Sequence, residues 1–220
     1  MKLQNSHSDA TYRTAMGQLL VLYTQVDRLI MEACAERIAS APDQAAKLGL
    51  AKQVGDESRH VAIQNEWMQS FGTDPTPVIS ADQEAAILAH FRQLDWMDFL
   101  TDMYLCVEAL GSDAVEKVVP LADPGTRESL RIPLQDELDH IAFGIERLRH
   151  ELAQLQTAER NAYLGSIPRR IEALSSMFEA MGLDVQKLFE AVGADYDMLC
   201  ESLLERKAAL LQEVAKPLAA

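Results

Sequence analysis

The 220 residues carry a formal net charge of −14, with 20 Lys and Arg against 34 Asp and Glu, which excludes a nucleic-acid backbone or an anionic membrane surface as the natural partner because both repel such a chain. The length suits one domain with a single large core, and 10 Gly and 8 Pro among abundant Ala, Leu, Glu and Gln point to an all-α protein. No uninterrupted apolar run reaches the roughly 18 residues of a membrane span.

Cys34, Cys106 and Cys200 are odd in number and far apart, so neither a disulfide framework nor a rubredoxin-type site is expected, and a reducing cytoplasm is the natural setting. The first nine residues are polar and lack the apolar core of a secretory leader.

In chain order, the spacing predicts a first helix over 11–39 with Leu19, Leu22, Val26, Leu29 and Ala33 as its core stripe and Glu32 flanking it. Ser40-Ala41-Pro42-Asp43 breaks it. A second helix carries Leu50, Val54, Glu57, Val61 and Met68 on one face and ends near Gly72. The linker 72–80, with Pro75 and Pro77, can span about 30 Å and suits a crossover between two helical hairpins. Ser80 and Gln83 form a capping box for the next helix. A single helix over 81–119 would run about 58 Å, so a break is expected near Leu94-Asp95, after which Leu100, Tyr104, Leu105, Glu108 and Gly111 share an inner face. Asp123-Pro124 starts a fourth long helix with Leu130, Leu134, Glu137, Ile141 and Leu148 inward, and Pro133 is expected to kink or interrupt it. Further helices over about 168–181, 185–192 and 196–214, separated at Gly182 and Gly193, form a C-terminal extension. The division expected is 1–155 for a four-helix bundle and 156–220 for an extension packed on the same domain.

The chemistry lies in a repeated phrase. Asp56-Glu57-Ser58-Arg59-His60 returns 80 residues later as Asp136-Glu137-Leu138-Asp139-His140, and each copy has a glutamate one helix upstream, Glu32 and Glu108. Residues three apart share a helix face, so each Glu and its His can reach one point. Four carboxylates and two imidazoles buried as bare charges are too costly, which implies bound cations. Carboxylate with imidazole suits two iron ions, or manganese. By symmetry Glu57 and Glu137 bridge the metals, Glu32 and Glu108 are terminal ligands, and His60 and His140 bind one metal each. Asp56, Arg59 and Asp136 stand behind them, orienting imidazoles and carboxylates. His90 and His150 have no partner at metal spacing and suit surface or cap roles, and Glu36, one turn after Glu32, suits a solvent position at the helix end better than an alternate carboxylate ligand.

The first phrase resembles the Asp/Glu-Glu-x-Arg-His signature repeated in ferritin-like di-iron oxygenases, among them ribonucleotide reductase small subunits, bacterial multicomponent monooxygenases and phenylacetyl-CoA epoxidase. The second copy departs from it, with Asp139 where Arg is usual. The ligand offsets, and the stretch from Val107-Glu108-Ala109-Leu110 through Pro120-Leu121-Ala122-Asp123-Pro124 to the second phrase, are most similar to the cyanobacterial aldehyde-deformylating oxygenases, over about 15–150. The resemblance implies a ferritin-like four-helix bundle in which Glu57 and Glu137 take part in catalysis. It also implies O₂ and a mainly apolar aldehyde, fatty acid or thioester as substrates, with an external electron donor. Leu29, Ala33, Tyr104, Gly111, Phe143 and Gly144 lie at helical spacing from ligands and are the candidate pocket residues, with Tyr104, one turn from Glu108, foremost. A homodimer is compatible with this reading. The alternative on the same ligands is a ferroxidase or peroxide-scavenging protein of the ferritin and rubrerythrin type, and a third is a metal-free helical scaffold. Substrate, reaction outcome and electron donor stay open.

Overall fold

The computed structural model describes residues 10–217 apart from 75, 183 and 184. The polar N-terminal run and Pro75 of the linker therefore lie outside the described residues. Every regular element among the described residues is helical: α1 (Ala10–Arg37), α2 (Gln44–Phe71), α3 (Ala81–Gln93), α4 (Trp96–Leu100), a π-helix (Thr101–Glu108), α5 (Ala109–Val118), α6 (Pro124–Gln154), α7 (Thr157–Ala180), α8 (Val185–Ala191) and α9 (Tyr196–Ala215). None is long and apolar enough to cross a membrane.

Side-chain caps explain most of the boundaries. Asp43 accepts from the Ala46 N–H and starts α2; Gly72, at φ 74°, closes it in the left-handed conformation that glycine adopts without a Cβ penalty. Ser80 and Gln83 form the expected reciprocal box at α3. The expected break falls at Leu94 and Asp95, with Asp95 capping α4 by accepting from the Asp98 N–H. Asp123 accepts from both Gly125 and Thr126, with Pro124 in the first turn of α6.

Two departures concern proline. Pro133 does not interrupt α6, which runs unbroken for 31 residues. The first helix of the extension begins at Thr157 rather than near 168, because Gln156 and Glu159 form a capping box and α7 then continues through Pro168. A proline inside a helix forfeits one backbone hydrogen bond, and packing of the buried Pro133 and of Ile167 and Ile171 around Pro168 holds both helices together despite it.

α1 lies along α2, α2 packs on α6, and α6 packs on the π-helix, so the four segments enclose one interior. The largest buried cluster fills it with Leu29, Ile30, Leu50, Leu100, Leu105, Ile141 and Leu148 among others. The extension closes the outside: α7 meets the π-helix, α9 meets α5 and α6, and α8 meets α1. Arg170 of α7 fastens this layer, reaching Asp102 of the π-helix at 3.1 Å and Asp98 at 2.7 Å. Asp102 is 1% exposed and also takes His90 Nε2 of α3 at 2.7 Å.

Candidate metal centre

α2 presents Gln53, Glu57, His60 and Gln64 at steps of four, three and four, so all four side chains point to one side, and all are buried. Eighty residues on, α6 presents Pro133, Glu137, His140 and Gly144 at the same steps. The polar pairs Glu57–His60 and Glu137–His140 hold the middle positions of the two runs, with glutamines at the outer positions on α2 and a proline and a glycine at those on α6.

Two groups of ligand atoms result, each with all its atoms within 4.8 Å of one another: Asp27, Glu57 and His60, and Glu57, Glu108 and His140. Glu57 belongs to both. His60 Nδ1 lies 3.1 Å from Glu57 Oε2, and His140 Nδ1 lies 3.3 Å from Glu57 Oε1 and 3.8 Å from Glu108. The two rings are 6.2 Å apart.

The acid preceding each motif glutamate braces the opposite motif. Asp136 of α6 lies 3.0 Å from His60 Nε2, and Asp56 of α2 lies 3.2 Å from His140 Nε2. Each imidazole thus turns Nδ1 inward and has Nε2 held from behind, the arrangement that fixes the tautomer and ring plane of a ligating histidine. Arg59 contacts Asp136 and lies 3.3 Å from Asp56. Lys52 joins Asp56 at 2.8 Å and Asp139 at 3.4 Å, so Asp139 takes part in the α2–α6 seam.

On α1 the structure brings Asp27 rather than the expected Glu32 into these groups. Asp27, 7% exposed, accepts from Gln64 Nε2 at 2.8 Å, while Thr24 donates to Gln64 Oε1 at 2.8 Å. Glu32 is half-buried and outside both groups. Five residues turn the helix by about 140°, so the two positions cannot serve the same site. Glu108 stands at the end of the π-helix and accepts from Gln53 Nε2. Glu137 lies beside the two groups and belongs to neither; its Oε2 is buried without a hydrogen-bond partner.

The electrostatics are those of a crowded acid cluster. Burial, then the neighbouring Glu57, push Asp27 well above the usual carboxylate range, and burial followed by Glu108 does the same to Glu137. Burial, with the Glu57 charge behind it, raises Glu108. Burial acts in the same upward direction on Glu57, but the two imidazoles outweigh it and hold this carboxylate low. His140 is raised to about 11, burial opposing and Glu108 and Glu57 prevailing. Glu57 Oε1, Glu137 Oε2 and His140 Nδ1 are buried with no hydrogen-bond partner, an arrangement that costs free energy unless another group meets them. A cation would. Once His140 gives up its Nδ1 proton all three offer lone pairs, the oxygen and imidazole set suits iron or manganese, and the donors fit such ions.

A cavity of about 270 Å³ is lined by Asp27, Glu108 and Glu137, by apolar residues of α1, α3, the π-helix, α5 and α6, and by Phe178 and Phe189 of the extension. Its walls are overwhelmingly apolar. Leu29 and Gly111 line it, and a Cβ on Gly111 would meet nothing within 4 Å. Ala33, Tyr104, Phe143 and Gly144 lie outside its lining. Tyr104 is instead fully buried behind the ligands, donating to Gln53 Oε1 and so supporting Glu108 through the glutamine. Gly144 makes room for that ring: a Cβ there would fall 2.1 Å from Tyr104 Cγ.

A scan of the chain against protein-family models finds no match, and a search of curated proteins finds none.

Proposed function

We propose that the chain is a di-iron oxidoreductase of the ferritin-like four-helix-bundle type that activates O₂ and acts on a mainly apolar small molecule. The observation that carries this reading is the pair of donor groups sharing Glu57 at the inner end of an apolar cavity. Asp27 and His60 would hold one metal, Glu108 and His140 the other, with Glu57 common to both and Glu137 the sixth ligand beside the cavity. Two iron(II) ions held by these residues would supply the reducing power that O₂ activation requires.

The chain's own contribution is positional and protective. Asp56 and Asp136 fix the imidazoles, and Gln53 and Gln64 fix the carboxylates of Glu108 and Asp27. The apolar walls keep bulk water from the inner end, which strengthens every electrostatic interaction there. A ferroxidase has no use for a cavity of this shape, so its presence favours the organic substrate. Electrons would come from an external donor.

Glu57→Ala removes the one ligand common to both groups. The expected result is loss of iron and of O₂ uptake together, measured by metal analysis and an oxygen electrode on iron(II)-loaded protein. Undiminished O₂ uptake by a folded Glu57→Ala protein would contradict the assignment.

A further inference from the structure

Cations account for three of the buried unpartnered atoms around the site. They do not account for a fourth, the hydroxyl of Tyr23. This residue is 9% exposed, lines the cavity, and precedes Asp27 by four residues, one turn along the same face of α1 and about 6 Å along its axis. Burial, and then the charge of Glu137, push its phenol upward, so it stays protonated and is a donor. Of the other polar side chains at the inner end, Asp27 has Gln64 and Glu108 has Gln53 as partners within the fold, and the unpartnered Glu137 Oε2 is one of the atoms a cation would meet. Tyr23 is therefore a donor on an apolar wall, one turn from Asp27, whose hydroxyl has no hydrogen-bond partner in the fold.

We propose that Tyr23 is a positioning residue that donates a hydrogen bond to a neutral acceptor oxygen on an otherwise apolar chain, holding that end of the molecule beside the metals. The inference rests on the proposed function for the metals and goes beyond it in naming the head group. The neutrality follows from charge: the carboxylates of Asp27, Glu57, Glu108 and Glu137 balance two divalent cations, so an anionic head would add an uncompensated charge in a water-poor space. A carbonyl oxygen fits; a free carboxylate does not. The tail then lies toward Phe178 and Phe189.

The test uses 2-decanone labelled with ¹³C at the carbonyl, bound to iron(II)-loaded protein without O₂ and read by infrared difference spectroscopy and calorimetry. In the wild type the carbonyl band is expected below its position in Tyr23→Phe, and the variant is expected to bind the ketone about 5- to 10-fold more weakly, the value of one hydrogen bond. Tyr23→Phe keeps the ring and so the cavity wall. Gly111→Phe, which projects into the cavity, is expected to abolish ketone binding, and decanoate is expected to bind wild type more weakly than the ketone. No ketone binding by wild type, the same band and affinity in Tyr23→Phe, unchanged binding in Gly111→Phe, or decanoate binding as tightly as the ketone would each overturn the proposal. Iron content measured on the same samples separates the two readings: two irons without a Tyr23 effect sinks this inference alone, whereas absence of iron sinks the metal assignment.

Discussion

At the scale of single residues, the position that most changes the picture is Asp27. It sits in a run of buried side chains, Tyr23, Asp27, Ile30 and Cys34, spaced by four, three and four, and an acid inside such a stripe is a stronger sign of a ligand than an acid beside one. Glu32 attracts attention in the sequence because its distance to the first Glu-x-x-His resembles that of Glu108 to the second, and because it is a glutamate. Offset along the chain does not fix the side of a helix; the phase does. Asp27→Ala is expected to lower iron content to one per chain or less, and Glu32→Ala to leave it at the wild-type level, both by metal analysis of reduced, iron-loaded protein. The reverse pattern would restore Glu32. The two motifs themselves are legible, since Glu57, His60, Glu137 and His140 need only their three-residue spacing to share a face. Tyr104 lies on the expected helix but in other surroundings, because sequence does not reveal that Gly144 opens space for its ring on the far side of the ligands.

At the scale of elements, caps are the most legible feature, since Ser80-Gln83 and Asp123-Pro124 act through atoms within one turn of each other. The π-helix is not legible: its wider turn has no local signature in Thr101–Glu108, where Asp102 pairs with His90 and Arg170 and Glu108 with Gln53. Arg170 consequently matters beyond its own helix. Arg170→Ala leaves the Asp102 carboxylate buried with His90 as its remaining partner and is expected to cost about 3 kcal/mol in chemical denaturation. It is also expected to weaken iron retention through Glu108. A loss under about 0.5 kcal/mol would show that the clasp contributes no more than an exposed ion pair.

At the scale of the whole molecule, the acid cluster makes metal and stability interdependent. Asp27, Glu108, Glu137, His60 and His140 all have folded pKa values raised above their ordinary ones. A group raised in this way contributes stability that is fully present below its unfolded pKa and is lost as pH climbs through the folded value. For the carboxylates that loss begins above about pH 4, and for His140 it extends from about 6.5 to the folded value of about 11. Metal-free protein is therefore expected to unfold at progressively lower denaturant as pH rises from about 5.5 to 8.5. Iron-loaded protein should show a flatter profile and release protons on loading, because the cations take the protons' place. A metal-free midpoint that rises across that range would contradict the electrostatic account.

The central claim, a two-metal site built from α1, α2, the π-helix and α6, is tested most directly by titrating metal-free protein with iron(II) under anaerobic, reducing conditions and counting the ions retained after gel filtration. The account predicts two irons per chain in the wild type and fewer than two in Glu57→Ala. One iron or none in wild-type protein, or two retained in both, would contradict it.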